Sequence, residues 1–320
     1  MAGSRDGNKA GARDAVRQTV TTELQETQAA PEALPLQVSV ILITRNQAVE
    51  LRRALAALDK SALRERTEIH VVDCGSQDGA LSTRDVAAEF PSAQVLYLPD
   101  NFGATKALNI AVRSAKAEVL FFLSPNVEVA ADTITQLLEK LESEKDTAAV
   151  CPLLVAENGQ PAPLMQAIPT KETLAKICAG EPAPIQTLDQ SEDSVAVGYP
   201  GRYALLIRKQ FIVGMNYFDV RFGEYWADAD LALQARRAQR KIRVYPAIRA
   251  AWHEPAAAQP LDTEHVSDRF IGAATLLSKH EGFLAGLAFR LSAVLNALIR
   301  FRFDLLGALL SGKKLGSHAN

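Results

Sequence analysis

The sequence predicts an α/β chain: a doubly wound, mostly parallel sheet flanked by helices, followed by a C-terminal amphipathic helical extension. Two observations predict the sheet. From Val38 onward, short β-branched runs alternate with stretches of helical apolar spacing, the pattern of βα units. Polar, turn-forming residues close each run. A third observation predicts the extension: beyond Gly282 the apolar spacing returns at 3.6 residues per turn, with few charges.

VSVILIT (Val38 to Thr44) is too short for a helix and is bounded by polar residues, so it reads as a strand buried on both faces. Residues 47 to 60 carry Val49, Leu51, Leu55 and Leu58 at helical spacing. Glu68 to Asp73 is the second strand, GSQDG a turn, and LSTRDVAAEF a helix. Val95 to Leu98 is a strand and ATKALNIAVRSA a helix; Glu118 to Leu123 is a strand and ADTITQLLEKLES a helix. From about residue 150 the alternation loosens. CPLLV, GRYALLIRK and IRVYP read as strands, DADLALQARRAQ as a helix, and the Pro-rich stretch 159 to 190 as loops around one short helix, Lys171 to Ala179. Losing the alternation after four βα units marks the place where a pocket is built. Residues 1 to 36 mix charges with Ala, Gln and Thr and lack the apolar core of a signal peptide, so they read as a flexible tail. Residues 37 to 258 then form the main domain and 259 to 320 the helical extension.

Composition narrows the function. The chain has 320 residues, 35 Lys+Arg against 37 Asp+Glu, and a net charge of -2. Apolar content of 48% and charged content of 22% exclude a disordered, collagen-like or disulfide-scaffold chain. The neutral balance argues against nucleic acid as a partner. Cys74, Cys151 and Cys178 are widely spaced, with no CxxC pair, so they make neither a zinc site nor a disulfide framework; this points to a reducing, cytoplasmic environment. No run reaches the ~18 apolar residues of a spanning helix; the stretch from Gly282 to Ile299 is interrupted by Arg290. In that stretch Leu284, Leu287, Leu291, Val294, Leu295 and Leu298 share one face. Arg290, Arg300, Arg302, Lys313 and Lys314 stand against Asp304 alone. A basic amphipathic helix of this kind lies on an anionic membrane surface, a peripheral placement on the cytoplasmic face. Phe289, Phe301 and Phe303 lie off the leucine stripe, and without such a surface all three would be exposed.

In a doubly wound sheet, ligands bind at the carboxyl ends of the strands. Those ends read Thr44-Arg45-Asn46, Asp73-Cys74-Gly75-Ser76-Gln77-Asp78-Gly79, Asp100-Asn101-Phe102-Gly103 and Ser124-Pro125-Asn126-Val127-Glu128. No GxGxxG follows the first strand and no GxxxxGK[ST] occurs, which removes the main support for dinucleotide and P-loop readings.

Taken together, VSVILITRN, EIHVVDCGSQDG, NFGATKALNIAV, EVLFFLSPNVEV, GMNYFDVRFGEYWADADLALQARR and the closing WHE, in this order, resemble the family-2 glycosyltransferases over about residues 37 to 254. The subgroup they look most like contains rhamnosyltransferase-type enzymes of bacterial surface polysaccharide assembly. The resemblance implies the GT-A fold, a Rossmann-like nucleotide-sugar-binding architecture, and an inverting transfer from a nucleotide-sugar donor to a saccharide or lipid-linked acceptor. It implies that Asp73 accepts the ring N–H of a uracil or thymine, that Thr44 and Asn46 line the base and ribose, and that Lys106 pairs with phosphate. Capping of the following turn is the bland alternative for Asp73. Where the family carries an Asp-rich metal motif, this chain has Asn126, with Glu128 two residues on. An amide oxygen brings no negative charge, so the expectation is weak binding of Mg²⁺ or Mn²⁺, or none, with Asn126, Glu128 and His253 as the candidate ligands. In WADADL, Ala227 replaces the family's Glu while both acids stand. Asp228 matches the family's general base, and Asp230 is assigned to capping the helix that follows. Asn126 and Ala227 also support a rival: a catalytically impaired binding or scaffold protein on the same fold. A sugar nucleotidyltransferase is disfavoured, because TRNQAVEL lacks the Gly-rich basic loop.

Overall fold

A computed structural model describes residues 35–77, 79–255, 261–312 and 314–315. Residues 1–34 of the expected tail (1–36), Asp78 and Lys313 lie outside the described residues. The first half follows the expected alternation: β1 (Val38–Thr44), α1 (Ala48–Asp59), β2 (Thr67–Cys74), α2 (Thr83–Glu89), β3 (Ala93–Leu98), α3 (Ala104–Ser114), β4 (Val119–Leu123), β5 (Val127–Val129) and α4 (Thr133–Ser143). The second half runs β6 (Thr147–Ala156), α5 (Lys171–Cys178), β7 (Val195–Ala196), β8 (Ala204–Arg208), α6 (Lys209–Gly214), α7 (Ala227–Arg237) and β9 (Lys241–Trp252). Three helices follow: α8 (Thr263–His280), α9 (Phe283–Ile299) and α10 (Phe303–Ser311).

The strands form one sheet in the order β3-β2-β1-β4-β8-β6-β9-β5, with β7 paired to β9. The half from β3 to β4 is parallel throughout, and its register sets Thr44 beside Asp73. β8 then enters antiparallel to both β4 and β6, with Ala204 opposite Leu123. An antiparallel strand begins where its parallel neighbours end. The segment leading into β8 is therefore delivered to the carboxyl edge of β1, β2 and β4. IRVYP proves to be the opening of the longer β9, whose alanine-rich end pairs with both β5 and β6.

Alternation along β1 divides the core. Val38, Val40 and Leu42 pack with Leu51, Leu55 and Ile134 on one face, whereas Ile41 packs with Leu108, Phe122 and Trp226 on the other. α8 closes this second face with Ala273, Leu276 and Leu277. At the amino-terminal end of the sheet, the buried Glu68 carboxylate accepts the Ser39 hydroxyl and the Lys116 amide, joining β1, β2 and the α3–β4 connection. Those hydrogen bonds outweigh the burial that would raise its pKa, and hold it below the usual range.

The C-terminal helices correct one expectation. Phe289 is buried, at 2% exposure, and stacks on Phe270 of α8 at 6.3 Å between ring centres. Gly286, Ala293 and Ala297 share its inward face. A Cβ at Gly286 would sit 1.9 Å from Ser278 Oγ, so small residues set this close helix approach. It is the leucine stripe, not Phe289, that faces outward. Among the described residues no helix is long and apolar enough to cross a membrane.

Candidate functional site

At the carboxyl edge of the parallel strands lies a cavity of about 620 Å³. Its walls include the strand ends Thr44, Cys74 and Leu123, the entry to β8 at Tyr199, Arg202 and Tyr203, the α7 start at Trp226 and Asp228, and His265 and Arg269 of α8. Of the residues expected from sequence, Thr44 and Asp228 meet here. Thr44 is 1% exposed, and its Oγ1 has no hydrogen-bond partner among the described residues. A buried hydroxyl left so is costly.

Asp228 sits in the first turn of α7. Its Oδ1 accepts the Tyr199 hydroxyl at 3.0 Å and the Ala229 amide at 3.0 Å. Burial, reinforced by the Asp228 charge, pushes the Tyr199 hydroxyl well above the ordinary tyrosine range, so it stays a proton donor. Tyr203 is raised by the same two causes in the same order. Ahead of Asp228, Trp226 adopts φ +76, a left-handed conformation that is strained for a bulky residue, and its indole N–H donates to the Arg269 carbonyl at 2.9 Å. That bond fixes the start of α7 against α8.

Glu224 ties the remaining wall together. One oxygen accepts the Ala104 amide at the start of α3, and the other lies 3.8 Å from Arg202. Its own amide donates to Asp268 Oδ2 at 2.8 Å. Gly103 must be glycine here: its φ is +83, and a Cβ would come within 2.7 Å of the Gly223 backbone. Burial raises Asp268 to about 6, and the nearby Glu224 charge adds to the rise.

The other expected residues stand outside the cavity wall. Asp73 is buried, and its Oδ1 accepts the Ser76 amide at 2.9 Å, the turn-capping contact. Asn46 Oδ1 takes the Gln77 amide and its own amide donates to Ser76 Oγ, so Asp73 and Asn46 together shape the loop after β2. Lys106 points toward Phe102, with Nζ 5.8 Å from the ring centre. Asn126 is buried: Oδ1 accepts from Gln47 Nε2 at 2.9 Å, and Nδ2 donates to the His253 carbonyl at 3.1 Å. The His253 ring lies 3.0 Å from Glu128 and 3.5 Å from Glu157. The three candidate ligands stand close together, but a set with one carboxylate and a neutral amide is a weak one for a divalent cation. The Asn126 amide is occupied on both sides, and Glu128 is engaged by an imidazole. Among the described residues no group of three or more His, Cys, Asp or Glu is arranged to hold a metal.

Asp230 is not the helix cap expected of it. It is wholly buried in α7, with Oδ2 2.9 Å from Lys279 Nζ and Oδ1 2.7 Å from His280 Nε2. Its role is to pin the end of α8 onto α7. Sequence reasoning missed Tyr199, Arg202, Tyr203 and Glu224. The usable signal was the Pro200-Gly201 break immediately before an apolar run.

Comparison with known proteins places the fold. The model of Glycosyl transferase family 2 matches residues 39–211. The "Uncharacterized glycosyltransferase YfnE" of Bacillus subtilis (strain 168) is 29% identical over 119 residues, 37% of this chain and 30% of that protein. The match thus spans less than a third of that relative's length. Among solved structures, GalNAc-T7 with UDP, GalNAc and Mn²⁺ is similar with a TM-score of 0.57 and 15% identity, over 77% of this chain and 48% of that one. S. aureus TarS 1-349 is similar with a TM-score of 0.51 and 15% identity, over 77% and 66%. At such identities the two structures speak for the fold alone. The matched segment runs through β1 to β4 and into β8, the strands whose ends and entry wall the cavity, and on that ground the chain belongs to glycosyl transferase family 2, with the GT-A fold that its motifs imply.

Proposed function

We propose that the protein is an inverting glycosyltransferase that moves a sugar from a nucleotide-sugar donor to a lipid-linked saccharide acceptor. One observation carries the reading: a single cavity is walled both by the strand ends at Thr44 and Cys74 and by the Tyr199-held Asp228 carboxylate. The donor nucleotide lies over the ends of β1 and β2, beside Thr44 and the loop shaped by Asp73 and Asn46. Rhamnose is the sugar that the motif resemblance favours. Asp228 takes the proton of the acceptor hydroxyl, and the freed oxygen forms the new bond to the anomeric carbon from the opposite face. The bond to the diphosphate oxygen breaks, and its electron pair leaves with the diphosphate. Arg202 and Arg269 line the same cavity and meet that charge. Asn126 brings no negative charge to a cation, so the two arginines carry most of the leaving-group stabilisation.

Calorimetric titration with UDP, dTDP and GDP tests the donor assignment. One of them is expected to bind equally well in EDTA and in Mn²⁺, and Asp228→Asn is expected to keep that binding while losing transfer. If none binds, the donor assignment falls. Asn126 and Ala227 favour a second reading, a catalytically impaired binding protein on the same fold. Nucleotide binding without turnover in the native chain would establish it.

A further inference from the structure

The outward face of α9 and α10 is the largest feature that the proposed reaction leaves unused. Leu284, Leu287, Leu291, Leu295 and Leu298 form one exposed stripe along α9. The stripe ends at a turn reading Arg300-Phe301-Arg302-Phe303, where Phe301 is 77% and Phe303 is 62% exposed. Their rings meet edge to face at 6.2 Å. Phe301 has φ +55, so the backbone itself turns to present the ring outward. An exposed apolar surface of this extent marks an interaction site.

Charge selects the partner. Between Gly282 and Gly312 the single acidic residue is Asp304, and it accepts the Thr263 hydroxyl at 2.6 Å, toward α8. Arg290 is turned the other way, donating to the Leu309 carbonyl at 2.6 Å. The cations left beside the exposed rings are Arg300 and Arg302, both exposed themselves. Aromatic rings alternating with guanidinium groups suit the depth at which acyl chains meet phosphate headgroups. The leucine stripe beside them suits the acyl boundary, and no helix here is able to span it.

We propose that the Arg300–Phe303 turn and the α9 leucine stripe dock the protein in-plane on a membrane containing anionic phospholipid, with Phe301 and Phe303 entering the interface and Arg300 and Arg302 binding headgroup phosphates. The proposal rests on this surface alone and is independent of the donor assignment. It deepens the acceptor assignment, since α9 and α10 pack on α8, whose His265 and Arg269 line the cavity.

The test is co-sedimentation of the full chain with vesicles of phosphatidylcholine alone and of phosphatidylcholine with phosphatidylglycerol. Binding is expected to the mixed vesicles and not to the neutral ones, and to weaken as salt is raised. The double variant Phe301→Ser, Phe303→Ser and the double variant Arg300→Glu, Arg302→Glu are each expected to cut partitioning on the order of tenfold or more. All four positions are exposed, and an unchanged thermal unfolding curve checks that the variants fold. Failure to sediment with the mixed vesicles overturns the proposal, as does binding that both variants leave intact. A concentration-dependent dimer that the Phe variants abolish, without vesicle binding, would overturn it in favour of a second copy of the chain.

Discussion

Tyr199 donates its hydroxyl to Asp228 Oδ1 at 3.0 Å, joining the loop before β8 to the first turn of α7 across the cavity. The bond is charge-assisted and sheltered, and it leaves Asp228 Oδ2 for an acceptor. Tyr199→Phe is expected to lower turnover about ten- to a hundredfold with nucleotide affinity unchanged. Asp228→Asn is expected to cost roughly 10²- to 10⁴-fold. Steady-state kinetics paired with nucleotide titration separates the two readouts, and a loss of nucleotide affinity in either variant would contradict the assignment.

Asn126→Asp looks from the sequence like the restoration of a metal ligand. In the fold, Asn126 Nδ2 donates to the His253 carbonyl, and a carboxylate has no hydrogen to offer there. The variant is expected to lose about 1–3 kcal/mol of stability, seen as a lower urea midpoint. Mn²⁺ should not restore it. Recovery of the midpoint on adding Mn²⁺ would show that the donor set accepts the cation after all.

Asp268 gives the protein a pH dependence with a definite sign. Burial raises its pKa from an ordinary aspartate value to about 6, so the folded state holds its proton more tightly than the unfolded chain. The stability that this provides is complete below about pH 4 and disappears as pH rises through about 6. Stability relative to Asp268→Asn is expected to fall by about 2 kcal/mol between pH 4 and pH 7. Urea unfolding of both proteins across that range measures it, and a flat difference would refute it.

Asp230→Ala takes the nearer of two carboxylates from Lys279, which keeps Asp219 at 3.4 Å, and removes the acceptor of the buried His280. Leaving a buried imidazole N–H without its acceptor costs about 1–3 kcal/mol. The urea midpoint should drop with little change in slope.

The four opening βα units were legible because their strands are buried on both faces and their helices are amphipathic, so burial alone writes the pattern. β9 was legible only as far as Pro246. Its remaining residues, Ala247 to Trp252, are half alanine, and the end of the strand pairs because β5 and β6 flank it, a tertiary cause that propensity does not carry. In the site, Asp228 was singled out only by the match of WADADL to the family's acidic motif, because a place ahead of a helix by itself speaks for a cap. Tyr199 and Arg202 were not legible, since an antiparallel strand inserted between β4 and β6 brings them to the edge. In α9 the burial of Phe289 was not legible, because it lies off the leucine stripe. The packed face is instead the one whose small residues let two backbones approach, and Phe289 fills the gap they leave.

The insertion of β8 into a parallel sheet also has a consequence in time. Thr44 emerges from the ribosome early, whereas Tyr199, Asp228 and Arg269, which face it across the cavity, follow much later. At about 5–20 residues per second, the two walls of the cleft are born roughly ten to forty-five seconds apart. For part of that interval, about 4–17 seconds between the completion of β4 and of β8, β4 is the open margin of the nascent sheet. A nascent chain halted before residue 199 therefore displays a sticky β-edge and no cleft, and premature release is the point at which this protein is most exposed to aggregation.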